Sequence, residues 1–196
     1  LLRAPRHALA AYAVDGDVSR GYALIDTTDE NCLVLRDWHT RDGAAAEAIL
    51  AFLSGFRSVY PKMRWHGALN DDLIFAMPDK GWKLLHQEDF MAKLIDPRQA
   101  LAARGYTGPD SQLDLTLTGE TQTRFGLSIS NGKATVVQPG GRPGVSLKAT
   151  DLAPLFTSYR SASFLARAGR LAGDADSIAL CDLIFAGPLP WSAEHF

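Results

Sequence analysis

Asn131-Gly132 sits between two runs of alternating hydrophobicity, Arg124 to Ser130 and Lys133 to Gln138, and no other feature of the 196 residues constrains the fold as tightly. Both residues tolerate the positive φ that a type I′ turn demands, so the flanking runs read as an antiparallel hairpin. Upstream, Leu113, Leu115 and Leu117 alternate with Asp114, Thr116 and Thr118, the pattern of a strand buried on one face. Gly144 to Ala149, with Val145, Leu147 and Ala149 on one side, adds a fourth strand. Three helical stretches follow: Asp151 to Thr157 with Asp151 as N-cap, Ser161 to Arg170, and Asp174 to Phe185, where Ile178, Cys181 and Phe185 share a face. Strands followed by helices predict an α+β sandwich, an antiparallel sheet covered by helices.

The first half is organised differently. Ala8 to Val14 and Arg20 to Asp26 read as a hairpin around Asp15-Gly16-Asp17, and Cys32 to Trp38 as a third strand. Ala44 to Val59 follows at once with Ile49, Phe52, Leu53 and Phe56 at three- and four-residue steps, the spacing of one buried helical stripe that Pro61 ends. Met63 to Leu69 reads as a strand and Asp71 to Ala76 as a short helix capped by Asn70 or Asp71. Trp82 to Leu85 and Phe90 to Ile95 read as a closing hairpin. These elements predict an α/β unit, and the Gly- and Pro-punctuated run from Arg104 to Asp110 is the linker. Two domains are therefore expected, 1–104 and 105–196.

Composition excludes several classes. Lys plus Arg is 20 and Asp plus Glu is 22, a net charge of −2, without the basic excess that phosphate contacts require; no nucleic-acid partner is expected. With no 18-residue apolar run and no charged-then-apolar leader, neither a membrane partner nor secretion is expected, and cytoplasm is the default. Cys32 and Cys181 have no partner at zinc-ligand spacing, so they read as small buried residues and no metal site is expected. The chain opens Leu1-Leu2 without Met, as a segment from inside a longer protein would.

Nucleophile elbow, Walker loop, paired zinc histidines and dinucleotide fingerprint are all missing from the sequence. His7, His39, His66, His86 and His195 are scattered and read as structural or solvated. The run from Gly140 to Gly144 looks like a phosphate loop but precedes a strand instead of opening a helix, so it reads as a flexible loop that offers an anion no helix N-terminus. Asp71-Asp72 reads as a cap, since neighbours on a helix point about 100° apart.

The order of segments carries a resemblance. Gly21-Tyr22-Ala23-Leu24-Ile25, Leu33-Val34-Leu35-Arg36-Asp37-Trp38, Phe90 to Asp96 and Ala100 to Tyr106 resemble the junction in Eis-type (enhanced intracellular survival) acetyltransferases, where a second, degenerate GNAT domain runs into a sterol-carrier-protein-2-like (SCP2-like) domain. Leu152 to Phe156, Ser163 to Arg170, Leu183-Ile184-Phe185 and the ending Pro190-Trp191-Ser192-Ala193-Glu194-His195-Phe196 are similar to that family's closing helices and terminus. The resemblance implies a truncated GNAT-like unit over 1–104 and an SCP2-like unit over 105–196. It further implies an acetyl-CoA-dependent N-acetyltransferase acting on an amine acceptor, and a homo-oligomer. Acetyl-CoA would be held by an N-terminal GNAT domain of the same parent, outside these residues. At the strand-helix junction Thr40-Arg41-Asp42-Gly43-Ala44, Ala44 stands where the cofactor-binding turn has its first glycine, and Asp42 would face the phosphates.

The same resemblance gives this segment one catalytic group, the α-carboxylate of Phe196 as general base, with Trp191, Glu194 and His195 lining the acceptor. A free α-carboxyl has a pKa of about 3.3–3.7, so burial and the adjacent Glu194 would have to raise it. Pro188 and Pro190 stiffen the end, and Trp191 and Phe196 offer apolar groups to pin it. Alone, the chain is expected to be inactive. Two other readings stand beside this one. The first is an SCP2-like lipid or sterol carrier without catalysis, its cavity lined by Leu155, Phe156, Phe164, Leu165, Ile184 and Phe185; the second is an assembly module.

Overall fold

The computed structural model describes residues 8–15, 17–79 and 81–192. The chain divides into two compact units: residues up to Gln87, joined by Trp191 and Ser192 from the far end, form one, and Glu88–Pro190 form the other.

In the first unit β1 (Ala8–Asp15), β2 (Val18–Asp26) and β3 (Cys32–Thr40) run as an antiparallel meander. Helix α1 (Gly43–Ser54) then returns the chain to β4 (Lys62–Trp65), which pairs parallel to β3, giving the order β1-β2-β3-β4. Ala23, Ile25, Leu33 and Leu35 of the sheet are buried with Ala46, Ile49 and Leu53 of α1 and Leu73 of α2 (Asp72–Ala76). Each fully buried Leu or Ile contributes about 1.5–3 kcal/mol, so this small cluster decides where α1 sits.

Two sequence expectations change here. Helix α1 ends at Ser54, not Val59, because beyond it the backbone tightens into three-residue turns, with Gly55 N bonded to Phe52 O and Phe56 N to Leu53 O. Phe52 is consequently 45% exposed and stacks edge-on against Phe56 at 5.4 Å between ring centres. The closing hairpin of Trp82 to Leu85 and Phe90 to Ile95 does not form: the stretch carries no strand, and Leu85, Phe90, Met91 and Ile95 are exposed. A lone two-stranded hairpin that buries nothing is at best marginal in water.

The second unit opens with α3 (Pro97–Ala103), which the strand and helix patterns do not anticipate; Asp96 caps it and Pro97 occupies its first turn. Strands β5 (Ser111–Thr118), β6 (Thr123–Ser130), β7 (Lys133–Val137), β8 (Gly144–Lys148) and β9 (Leu171–Gly173) are ordered β7-β6-β5-β8-β9. The β6–β7 turn is the expected one, with Asn131 at φ 51° and Gly132 at φ 74°. The sheet is mixed, since β8 runs parallel to β5: residues 138–143 carry the chain from the β7 edge past β6 to the far side of β5. β9, three residues long, gives too short a signal to read from sequence.

Ala149–Asp151 forms a single 3-10 turn leading into α4 (Leu152–Phe156). Asp151 does not cap it; its carboxylate pairs instead with Arg170 at 3.5 Å. Ser161 caps α5 (Ala162–Arg167), and Asp174 caps α6 (Ala175–Phe185), which packs on β5 and β8. Leu113, Leu115, Phe125 and Leu127 meet Leu155, Leu165, Cys181 and Ile184 in one continuous core. Among the described residues no helix is long and apolar enough to cross a membrane.

Candidate functional site

Of the four residues that the family resemblance puts at an acceptor site, Trp191 is described and is 53% exposed. It belongs, with Ser192, to the first unit although it follows the second in sequence. Glu194, His195 and the terminal Phe196 lie outside the described residues.

The β3–α1 junction is where a GNAT-type cofactor turn would stand. Asp42, the last residue before α1, accepts the Ala45 N–H through Oδ1 at 3.0 Å. Its Oδ2 accepts from Arg20 Nε at 3.0 Å and Arg20 Nη2 at 2.5 Å. Arg20 also donates to Asp15 Oδ2 at 2.8 Å. The bond from the Ala45 amide, and then Arg20, hold the Asp42 carboxyl below the usual carboxylate range. Asp15, Val18, Arg20, Arg41 and Asp42 line an open depression of about 350 Å³ beside the helix end. A helix N-terminus attracts one anion strongly, and here the chain provides it. A pyrophosphate brought to the same place would meet a carboxylate whose cation is already shared by two acids, so these residues do not fit that group.

A second internal anion lies in the other unit, and it corrects the reading of the glycine-rich loop. Asp114 on β5 is 2% exposed, and its carboxylate accepts the Gly140 and Gly141 N–H groups, each at 3.1 Å to Oδ2. Arg124 Nη2 at 3.4 Å and Arg142 Nη1 at 3.5 Å complete the shell. The loop cradles an anion after all, one carried by the chain itself, and is tied down in mid-crossing over the sheet.

Asp71 and Asp72 have separate partners, as the helical geometry requires. Asp71 caps α2 by accepting from Ile74 N at 2.9 Å and holds Trp65 Nε1 at 2.9 Å, while Asp72 accepts from Thr40 Oγ1 at 3.1 Å. Among the described residues no group of three or more His, Cys, Asp or Glu could hold a metal ion. Of the residues considered for a lipid cavity, Leu155, Leu165, Ile184 and Phe185 are packed into the core, and Phe164 lies outside it under the Arg160 guanidinium.

Arg104 is the residue sequence reasoning passed over. Its five N–H groups are all used: Nε donates to Phe156 O at 2.9 Å, Nη1 to Gly105 O at 3.0 Å and Ile184 O at 3.4 Å, and Nη2 to Ser158 Oγ at 3.1 Å and Phe185 O at 3.2 Å. The guanidinium stacks over Tyr106 and Phe185. Burial lowers the Arg104 pKa and pushes the Tyr106 phenol up to about 12. The signal available in sequence was an Arg two residues before a Tyr; its acceptors beyond the adjacent Gly105, 52 to 81 positions away, were not visible.

Comparison with known proteins agrees with this architecture. Residues 97–193 match the sterol carrier protein domain. A GCN5-related N-acetyltransferase of Anabaena variabilis superposes with a TM-score of 0.83 at 28% identity, over 96% of this chain and 51% of its own. A GCN5-related N-acetyltransferase of Kribbella flavida gives 0.73 at 21% identity, over 97% and 49%. Eis1 of Mycobacterium abscessus gives 0.67 at 20%, over 90% and 48%, and shares the fold. The chain therefore spans about half the length of these structures. No curated protein sequence matches it. Residues 2–101, half of the chain, match the acetyltransferase (GNAT) domain, and the chain belongs to the GNAT acetyltransferase family.

Proposed function

We propose that these residues are the acceptor-side half of an Eis-type, acetyl-CoA-dependent N-acetyltransferase. In this reading the chain supplies walls of the site for an amine acceptor, and the Phe196 α-carboxylate takes the proton that the acceptor ammonium must lose before it can attack. Trp191, Glu194 and His195 line the same place. Acetyl-CoA is held by a first GNAT domain outside the 196 residues, and the assembled enzyme is a homo-oligomer.

The observation that carries the reading is Asp42 at the N-terminus of α1. A GNAT fold whose anion position is filled by its own carboxylate, with Arg20 committed to it, is suited to a supporting role and not to holding a cofactor. Two further facts support it: the matched acetyltransferases are about twice as long, and Trp191 and Ser192 rejoin the GNAT-like unit after the second unit is complete. The carrier reading is weakened, because four of the six residues named for its cavity, Leu155, Leu165, Ile184 and Phe185, are packed into the core.

The test joins this chain to an acetyl-CoA-binding GNAT half and follows acetyl transfer to spermidine, kanamycin and a lysine-containing peptide. Turnover of at least one acceptor by the joined protein, and by neither half alone, is expected. No turnover with any of them, or unchanged turnover after deletion of Phe196, contradicts the reading.

A further inference from the structure

The run Phe90-Met91-Ala92-Lys93-Leu94-Ile95 reads as a strand in the sequence, yet neither sheet pairs with it. Among the described residues, no hydrogen bond reaches the backbone of Phe90, Met91, Ala92 or Lys93. One end is fixed: Leu94 packs against the core of the second unit, and Asp96 caps α3 just beyond. The apolar side chains of the rest stand in the open, Met91 at 100% exposure, Ile95 at 87% and Phe90 at 52%.

A single exposed apolar residue is ordinary, but a contiguous run marks a surface that something else covers. Burying each of these three side chains is worth about 1.5–3 kcal/mol, and the chain by itself forgoes it. The unpaired N–H and C=O groups of the same residues are a template for another strand. Addition to a sheet edge satisfies the backbone and buries the side chains in one step. A small molecule does not account for the run, because it needs a concavity and a fully exposed Met91 lines none.

The length of the matched structures points to what covers the run. The Anabaena variabilis acetyltransferase superposes on 96% of this chain with 51% of its own length, so about half of that polypeptide has no counterpart in these 196 residues. A cover on the same polypeptide is in place at every protein concentration, whereas a second copy arrives only above its dissociation constant. An open apolar strand is also an aggregation hazard, which only a permanent cover removes. We infer that residues 90–95 are a strand donated to the cofactor-binding GNAT half of the parent: Phe90 to Lys93 pair with an edge of that half's sheet, and Phe90, Met91 and Ile95 are buried against it. The inference rests on the reading that such a half exists.

Methionine oxidation and amide exchange test this without any activity. In the isolated 196-residue chain hydrogen peroxide is expected to oxidise Met91 faster than the half-buried Met63 and Met77, and the Ala92 and Lys93 amides to exchange like those of an unstructured peptide. In the chain joined to an acetyl-CoA-binding GNAT half, Met91 oxidation and exchange at one or both amides are expected to slow by about tenfold or more. Alternate N–H groups of a strand face opposite sides, so of Ala92→Pro and Lys93→Pro one removes a bond to the partner strand and the other does not. One variant should therefore return Met91 to its fast oxidation in the joined protein, and both should leave the melting temperature of the isolated chain unchanged.

Acetyl transfer by the joined protein, with Met91 oxidised as fast as in the isolated chain, overturns the inference and leaves the proposed function standing. Slowed oxidation and exchange in a joined protein that acetylates no acceptor overturns the function and supports the donated strand. Protection of Met91 that neither proline variant reverses overturns strand pairing. A dimer of the isolated chain, detected by light scattering, in which Met91 is already protected assigns the surface to a second copy and overturns the inference. If the joined protein does not fold, the two halves are mixed, and unchanged oxidation and exchange on mixing overturns it.

Discussion

Arg20 of β2 grips Asp42, the residue that caps α1, through two nitrogens on one carboxylate oxygen, so the end of the helix that could receive a foreign anion is closed by a pair from within the chain. The pair links two elements of one sheet-helix unit and sets the electrostatics of the turn at the same time. Asp42→Ala is expected to lower the melting temperature measured by circular dichroism, and Asp42→Asn to lower it less, because Asn caps a helix nearly as well as Asp. Equal melting temperatures for the two variants would show that Arg20, not the cap, matters.

Asp114 ties the crossing loop to the sheet. Asp114→Ala leaves two loop N–H groups and parts of two guanidinium groups without their anion and should cost about 3 kcal/mol, read from urea denaturation. Asp114→Asn, which keeps an acceptor but loses the charge, should cost less. A loss under ~0.5 kcal/mol for the alanine variant would mean that the loop holds without it.

Acid should destabilise the first unit through Asp26. Its carboxyl accepts the Thr28 hydroxyl and N–H and a fork from Arg36, and these hold it down to about 2 from an ordinary 3.8. Because the folded value lies below the unfolded one, the stabilisation is complete above the unfolded value and is lost as pH falls through about 2. Asp42 and Asp174 shift in the same direction. The melting temperature of wild type should fall between about pH 5 and pH 2, and Asp26→Asn should flatten that fall.

Cys181 is fully buried, and burial followed by the neighbouring Asp182 pushes its thiol up to about 12. A thiol reagent at neutral pH should leave it unlabelled in the folded protein and label it on unfolding. Rapid labelling of Cys181 in native conditions, located by peptide mapping, would show that α6 opens readily.

The β6–β7 hairpin, the β5 alternation and the α1 and α6 stripes were legible because each depends on neighbours two to four residues apart. The Asp71 cap belongs to the same class, whereas those at Asp42, Ser161 and Asp174, equally local, were not read from the sequence. Asp151 misled because a capping residue and a partner for Arg170 look alike until the chain is folded. The Gly140 loop misled for the complementary reason: its anion was Asp114, 26 positions upstream. Arg104 joins segments 80 residues apart, and no local period records that. Phe52 followed the α1 stripe in sequence but lies on its exposed margin, so Phe52→Ala should change stability by under ~0.5 kcal/mol where Leu115→Ala costs ~3 kcal/mol.

The central claim is that this GNAT unit has exchanged its cofactor position for an internal carboxylate. Isothermal titration of the purified 196-residue chain with acetyl-CoA, at low salt where phosphate binding is strongest, tests it most directly. No saturable heat up to millimolar ligand is expected. Saturable binding that weakens when Arg41 is changed to Ala would contradict the account.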